Sequence, residues 1–190
     1  FNGDPMTCNM KKLMLPDFFQ ASEVPIVHKF YRNYFKDCYV CGDVDYIFGP
    51  NTAFFDHCEI HSIARVSEEK AYITAASTPA GQEFGLIFSH CRITGEEPDS
   101  VYLGRPWRDC AKTAFICCEL GDHICPEGWQ NWGKVRAEVL SDYIEYGNFG
   151  PGADCSGRSP LSRCLVNPEV ETYFSKENVL VGEDGWIPAE

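Results

Sequence analysis

The most regular feature of the hydrophobic pattern is a motif, Phe-x-x-Cys-x-(Val/Ile/Leu), that occurs four times. It reads Phe35-K-D-Cys38-Y-Val40, Phe55-D-H-Cys58-E-Ile60, Phe88-S-H-Cys91-R-Ile93 and Phe115-I-C-Cys118-E-Leu120, with the cysteines 20, 33 and 27 residues apart. Cys and the aliphatic residue two places on share one side of a strand. A second series falls between these segments: Asp45-Tyr46-Ile47, Ala71-Tyr72-Ile73 and Val101-Tyr102-Leu103. Helical periodicity is weak between the strands, which disfavours alternating strand and helix units.

Two interleaved strand signals with loops of variable length predict a solenoid. Parallel strands need crossover connections, and a coil of short strands supplies them without helices. The expected fold is all-β, a right-handed parallel β-helix; a β-sandwich is the alternative that the same repeat allows. Cys38, Cys58, Cys91 and Cys118 are expected to stack inside the coil as small apolar side chains. Residues 30–121 are read as the coils of a single domain. Residues 1–29 are read as irregular and loop-like, and 122–190 as a turn-rich cleft loop and C-terminal cap. Asn167-Pro168-Glu169 has the look of a helix start, predicting a short helix to about Lys176 that covers the end of the stack.

Composition narrows the possibilities further. A chain of 190 residues with 44% hydrophobic and 23% charged content can bury a core. No apolar run is long enough to span a membrane. A net charge of -12 argues against a nucleic-acid partner, because phosphate binding needs a basic face. No signal peptide is visible, and a first residue other than Met suggests processing or a fragment. The 11 cysteines are odd in number and several are expected in the core, so they do not demand an oxidising compartment. The Cys38-Y-V-Cys41 pair has zinc-like spacing, but an offset of three on a strand sends the sulfurs to opposite faces, so no metal is expected.

Serine-hydrolase, zincin and phosphate-loop motifs are absent. What remains is Asp45, Arg105 and a set of aromatic residues. If the second strand series stacks, Asp45 and Arg105 lie on one sheet about two rungs apart, within reach of a long side chain. Such a pairing keeps a carboxylate ionised and oriented. It is also what an ordinary structural ion pair looks like. Trp107, Trp129 and Trp132 are candidate platforms for sugar rings, or else core packing. Asp43, following Gly42, is read as a turn residue.

Together, Gly42-D-V-D-Y-I-F-Gly49 and Tyr102-L-G-R-P-Trp107 resemble the paired motifs of the pectin methylesterase (pectinesterase) family. The resemblance extends through Ala71-Y-I-T-A, Pro126-E-G-W-x-x-W, Glu145-Y-G-N-x-G-P-G and Gly182-x-D-G-W, over about residues 30 to 188. It implies a right-handed parallel β-helix and hydrolysis of methyl esters on galacturonate units of pectin, without a cofactor. It implies Asp45 as nucleophile, Arg105 as the group that holds it, and Val44, Phe48, Trp107, Trp129 and Trp132 as substrate-binding. The implied partner is pectin, the implied setting extracellular or cell-wall-associated, and the expected state a monomer.

One departure qualifies the expectation. The family's G-Y-Q-D-T-L-Y motif carries a general acid and an oxyanion glutamine, with a second glutamine further upstream. Ungapped alignment sets that motif on Ala21 to Val27, with Val24 at the acid's place. The preferred explanation is a bacterial-type loop over 1–27, with the motif before Phe1 and the chain a C-terminal portion of the catalytic domain. The alternatives are a pectin-binding pseudoenzyme lacking the acid and, more remotely, a β-helical polysaccharide lyase.

Overall fold

The structure, a computed structural model, describes residues 13–14, 31–67, 69–182, 184–186 and 188. Val24 and the rest of the segment aligned with the acid motif lie outside the described residues. The chain climbs in coils of three strands. Strand β1 (Leu13–Met14) precedes a first full coil of β2 (Arg32–Lys36), β3 (Tyr39–Gly42) and β4 (Val44–Gly49). A second coil contains β5 (Thr52–Asp56), β6 (Glu59–Ser62) and β7 (Ala71–Ala76), and a third β8 (Leu86–Ser89), β9 (Arg92–Gly95) and β10 (Val101–Pro106). Strands β11 (Lys112–Ile116) and β12 (Glu119–Leu120) begin a fourth, followed by a long loop, β13 (Asp142–Tyr146) and β14 (Ser162–Leu165).

Equivalent strands pair in parallel, giving sheets ordered β1-β4-β7-β10, β14-β13-β11-β8-β5-β2 and β12-β9-β6-β3. Same-sheet parallel crossovers are right-handed, and the fold is a right-handed parallel β-helix. Within 1–29 the described residues Leu13 and Met14 depart from the irregular reading: they form β1, which pairs Leu13 with Ile47 and Met14 with Phe48. It covers the exposed edge that β4 would otherwise present.

The Phe-x-x-Cys repeat is the coil's interior. Phe35, Phe55, Phe88 and Phe115 stack in register, with centroids 4.7, 4.7 and 4.5 Å apart and planes within 10°. Cys58, Cys91 and Cys118 are buried, each thiol donating to a carbonyl one rung away (Phe35, Phe55 and Phe88), while Cys38 is half-buried against the same core. Deleting one such ring, as in Phe88→Ala, removes about 3–5 kcal/mol by opening a cavity the rigid rungs cannot close.

The residue before each cysteine makes the corner between two sheets. Asp37, His57, His90 and Cys117 all adopt the left-handed region, with φ of 52°, 51°, 54° and 52°. One rung further on Gly147 takes this place at φ 64°, and Asn148 stands where a cysteine would, its Oδ1 accepting from the Cys118 amide at 2.9 Å.

Two expectations about the C-terminal region are corrected. The coil does not stop near residue 121, because β13 and β14 add two rungs to the six-stranded sheet. The predicted helix forms as α2 (Glu169–Tyr173), after a single turn α1 (Ala137–Leu140), but ends short of Lys176, where the Ser175 hydroxyl accepts from the Asn178 amide and starts a further helix, α3 (Lys176–Leu180). Nor do these helices cover the end of the stack. Phe174, Val179 and Leu180 pack on Phe54, Ile87, Ala114, Ile116 and Ile144, the apolar outer face of the six-stranded sheet. That face would otherwise be a large exposed hydrophobic patch.

Candidate active site

Val44 to Gly49 could not carry a carboxylate on its outer face as a regular strand. By strict alternation Asp45 would fall on the side opposite Val44. Instead the register slips: Val44 pairs with Tyr72 but Ile47 with Thr74, so Asp45 and Tyr46 together oppose one residue. Asp45 stands in the left-handed region, φ 48°. The bulge keeps Asp45 beside Val44 and turns Tyr46 wholly inward, with its hydroxyl 2.9 Å from Ser62 Oγ. Gly42 makes room, since a Cβ there would lie 2.4 Å from Tyr46 Cβ. An Asp tolerates this backbone better than most residues, at a cost of about 1 kcal/mol. The slip also corrects the second sequence series, in which Tyr46 was matched with Tyr72.

Two rungs away on the same sheet, Arg105 reaches Asp45 with both arms. Nε donates to Oδ1 at 2.9 Å and Nη2 to Oδ2 at 2.6 Å, with both side chains more than four-fifths buried. The guanidinium is itself sandwiched, 3.9 Å from the Tyr72 ring centroid and 3.7 Å from that of Trp132. Stacking on two aromatic faces holds the fork flat and fixes the plane of the carboxylate. Lys134 backs the other side of this arrangement, its ammonium donating to the carbonyls of Pro106 and Trp107 at 2.7 and 2.8 Å. Burial, then the positive charges of Arg108 and Arg105, push the Lys134 ammonium below the usual lysine range.

The other expected residues divide. Phe48 and Trp107 meet edge to face at 5.5 Å, and Val44 lies half-buried at the head of the same strand as Asp45. Trp132 is partly exposed above Arg105. Asp43 forms the bend before β4, its Oδ1 accepting from the Val44 amide at 2.8 Å. Trp129 is corrected. It is 1% exposed, stacks on Tyr143 at 4.3 Å and meets Phe115 at 5.9 Å, so it cannot form a sugar platform. Its indole N–H donates to Glu145 Oε1 at 2.9 Å.

Several residues that matter to the site were not singled out from the sequence. Tyr72 is visible as a strand residue, and its place one rung from Arg105 is the available signal for its role. Glu145 and Arg158 form a buried bidentate pair at 2.8 and 3.0 Å, and Arg158 also holds the carbonyls of Pro126 and Gly152 at 3.0 and 2.6 Å. That network anchors the loop on which Trp132 sits, with Gln130 N–H donating to Gly104 O at 3.2 Å next to Arg105. The Cys155–Cys164 disulfide closes the segment bearing Arg158. Nothing in the sequence pattern distinguished Arg158 from a surface arginine.

An ionised, oriented carboxylate beside aromatic surface can act as a nucleophile towards an electrophilic carbonyl. Comparison with known proteins points the same way. A family model for pectinesterase matches residues 20–183. The chain is 39% identical over 140 residues to pectinesterase 31 of Arabidopsis thaliana, covering 73% of this chain and 43% of that protein. The structure of a pectin methylesterase from carrot superposes with a TM-score of 0.73 at 28% identity, covering 82% of this chain and 52% of that one. A pectin methylesterase in complex with a hexasaccharide superposes at 0.67 and 28% identity, covering 83% and 53%. The chain therefore spans about half the length of the relatives it matches.

Proposed function

Because this chain belongs to the pectinesterase family, we propose that it hydrolyses methyl esters on the galacturonate units of pectin, with Asp45 as nucleophile and Arg105 as the group that aims it. The observation that carries this reading is the Asp45 carboxylate, doubly bonded to Arg105 at a left-handed bulge and flanked by Phe48, Trp107 and Trp132. A purely structural pair gains nothing from a strained backbone that holds its carboxylate on the outer face, whereas a nucleophile does.

The steps follow from the chemistry. One Asp45 oxygen attacks the ester carbonyl carbon, and the carbonyl oxygen takes the displaced electron pair. Collapse of that intermediate expels the methoxy group, which takes a proton and leaves as methanol, so the galacturonyl group remains on Asp45 as an anhydride. Water then cleaves the anhydride and restores the carboxylate. Arg105 accompanies Asp45 throughout. Its charge favours the free carboxylate before attack and after release. Phe48, Trp107 and Trp132 offer flat apolar surface to sugar rings.

The reaction also needs a proton donor and oxyanion donors. On this reading they belong to sequence preceding residue 31, in a longer chain of which this is the C-terminal portion, with a bacterial-type loop between them and β2. The enzyme acts as a monomer on cell-wall pectin outside the cell. The Cys155–Cys164 disulfide fits an oxidising location, and no helix among the described residues is long and apolar enough to cross a membrane.

Methanol release from methyl-esterified pectin tests the proposal. We expect Asp45→Ala to abolish release by an active parent chain while leaving its circular dichroism unchanged. Undiminished release in that variant would overturn the role of Asp45. Pectin binding without methanol release by the complete chain would instead support a non-catalytic binding protein.

A further inference from the structure

Three groups of His, Cys, Asp or Glu among the described residues bring their ligating atoms within 4.8 Å of one another. Two of them already contain a cationic side chain. Arg158 pairs with Glu145 beside the Cys155–Cys164 disulfide, and Lys70 lies 2.6 Å from Asp99 and 4.0 Å from Glu127 in the group with Cys125. The third group is His90, Cys117 and Glu171, and no lysine or arginine ion-pairs with it among the described residues. We propose that these three side chains form a binding site for a divalent ion of the zinc class.

The site follows from the corner geometry of the coil. His90 and Cys117 occupy the same left-handed corner in successive rungs, φ 54° and 52°, so their side chains leave the backbone at the same place one strand spacing apart. Glu171 enters from α2, with Oε1 3.9 Å from His90 Nε2. The other His90 nitrogen, Nδ1, lies 3.0 Å from Ser89 Oγ. That contact fixes the ring and leaves Nε2 for a metal, the arrangement that supports histidine ligands in metal sites generally. In the next rung the corner residue is Gly147, where a Cβ would come within 3.0 Å of Cys117 Sγ. The glycine leaves the sulfur room.

The donor set selects the ion. One imidazole nitrogen, one sulfur and one carboxylate oxygen suit zinc, whereas calcium and magnesium require oxygen ligands. Tetrahedral bonds of about 2.0–2.3 Å need ligand atoms about 3.3–3.8 Å apart. Side-chain rotation closes the remaining distance, because His90 and Glu171 are exposed and Cys117 is half-buried. Cys117 binds as the thiolate, passing its proton to solvent, and water completes the coordination. His57 is a wall rather than a ligand: its ring stacks on His90 at 5.2 Å and its Nδ1 lies 2.6 Å from Asp56. The ion would join α2 to β8 and β11, clamping the C-terminal segment to the sheet it covers.

Titration of the full chain with zinc alone, by calorimetry, and with cobalt, by absorption spectroscopy, tests the site without reference to esterase activity. We expect one ion per chain and a thiolate-to-cobalt band. Cys117→Ser should remove the band and weaken binding at least about 100-fold, and Ser89→Ala should weaken it about 10-fold, since a supporting contact contributes about 10–100-fold. Glu171→Gln, an exposed replacement that leaves the core untouched, should weaken binding at least about 10-fold even if Cys117→Ser fails to fold. Failure of the folded chain to bind, or binding unchanged in Cys117→Ser and Glu171→Gln, would overturn the proposal.

Discussion

Glu145 stands in register with Phe115 in the six-stranded sheet, so the column of four phenylalanines is continued by a carboxylate. Arg158 and the Trp129 indole satisfy it inside the coil, at 2% and 4% side-chain exposure for the acid and the arginine. A charge placed there is tolerable only while its partner is present.

Arg158→Met should therefore destabilise the chain by about 3–5 kcal/mol, measured by urea unfolding, because it strands Glu145. The double variant Glu145→Gln, Arg158→Met keeps an acceptor for Trp129 and removes the unpaired charge. It should lose less than the single variant. A double variant at least as unstable as Arg158→Met would show that the burial of charge is not what the pair resolves.

Arg105→Lys retains the charge but not the planar fork that makes two parallel bonds to Asp45. Loss of a charge-assisted hydrogen bond is worth about 1.5–3 kcal/mol, or about 10- to 100-fold in rate when it acts in the transition state. We expect a fall of that size in kcat for methanol release, with the melting temperature nearly unchanged. Trp132→Ala, which removes one of the two faces on Arg105, should cost less.

The corner residue Asp37 is exposed and has φ 52°. Asp37→Asn should leave thermal stability within about 0.5 kcal/mol, since Asn accepts this backbone. Asp37→Val should cost about 1–2 kcal/mol, because a branched side chain crowds the following carbonyl in the left-handed region. Equal melting temperatures for the two would argue against corner strain.

His123 is 1% exposed, and neither ring nitrogen has a hydrogen-bond partner among the described residues. Burial lowers its pKa from 6.5 to about 4, with Asp122 opposing and His61 reinforcing the shift. Between these values the unfolded chain binds the proton and the folded chain does not. Its contribution to stability is thus complete above about pH 6.5 and is lost as pH falls towards 4, by about 3 kcal/mol in all. His123→Leu should flatten the stability curve over that window. A curve parallel to that of the parent chain would overturn this assignment.

Much of the coil could be read before the structure, because its interior repeats one residue type per rung. Phe-x-x-Cys set the ring column, the thiol column and the place of the corner. It stops where the residues change while the backbone does not: Glu145 in β13 and Asn148 after the Gly147 corner stand in place of Phe and Cys, so the pattern no longer marks that rung as coil. Trp129 misled for a related reason. A tryptophan in a turn-rich loop has the same composition whether it faces a sugar or, as here, closes the core against Tyr143.

The local sequence determined the repeat, and with it the fold, because burying apolar residues at fixed intervals on a parallel coil leaves few alternatives. It also placed Asp45 and Arg105 on one sheet. Only the tertiary structure decided how they meet. The bulge between Val44 and Ile47, the two rings that flatten the Arg105 guanidinium and the buried Arg158 behind the Trp132 loop bring together residues from distant parts of the chain. Their geometry depends on register, and register is set by the packing of whole rungs rather than by any short stretch of sequence.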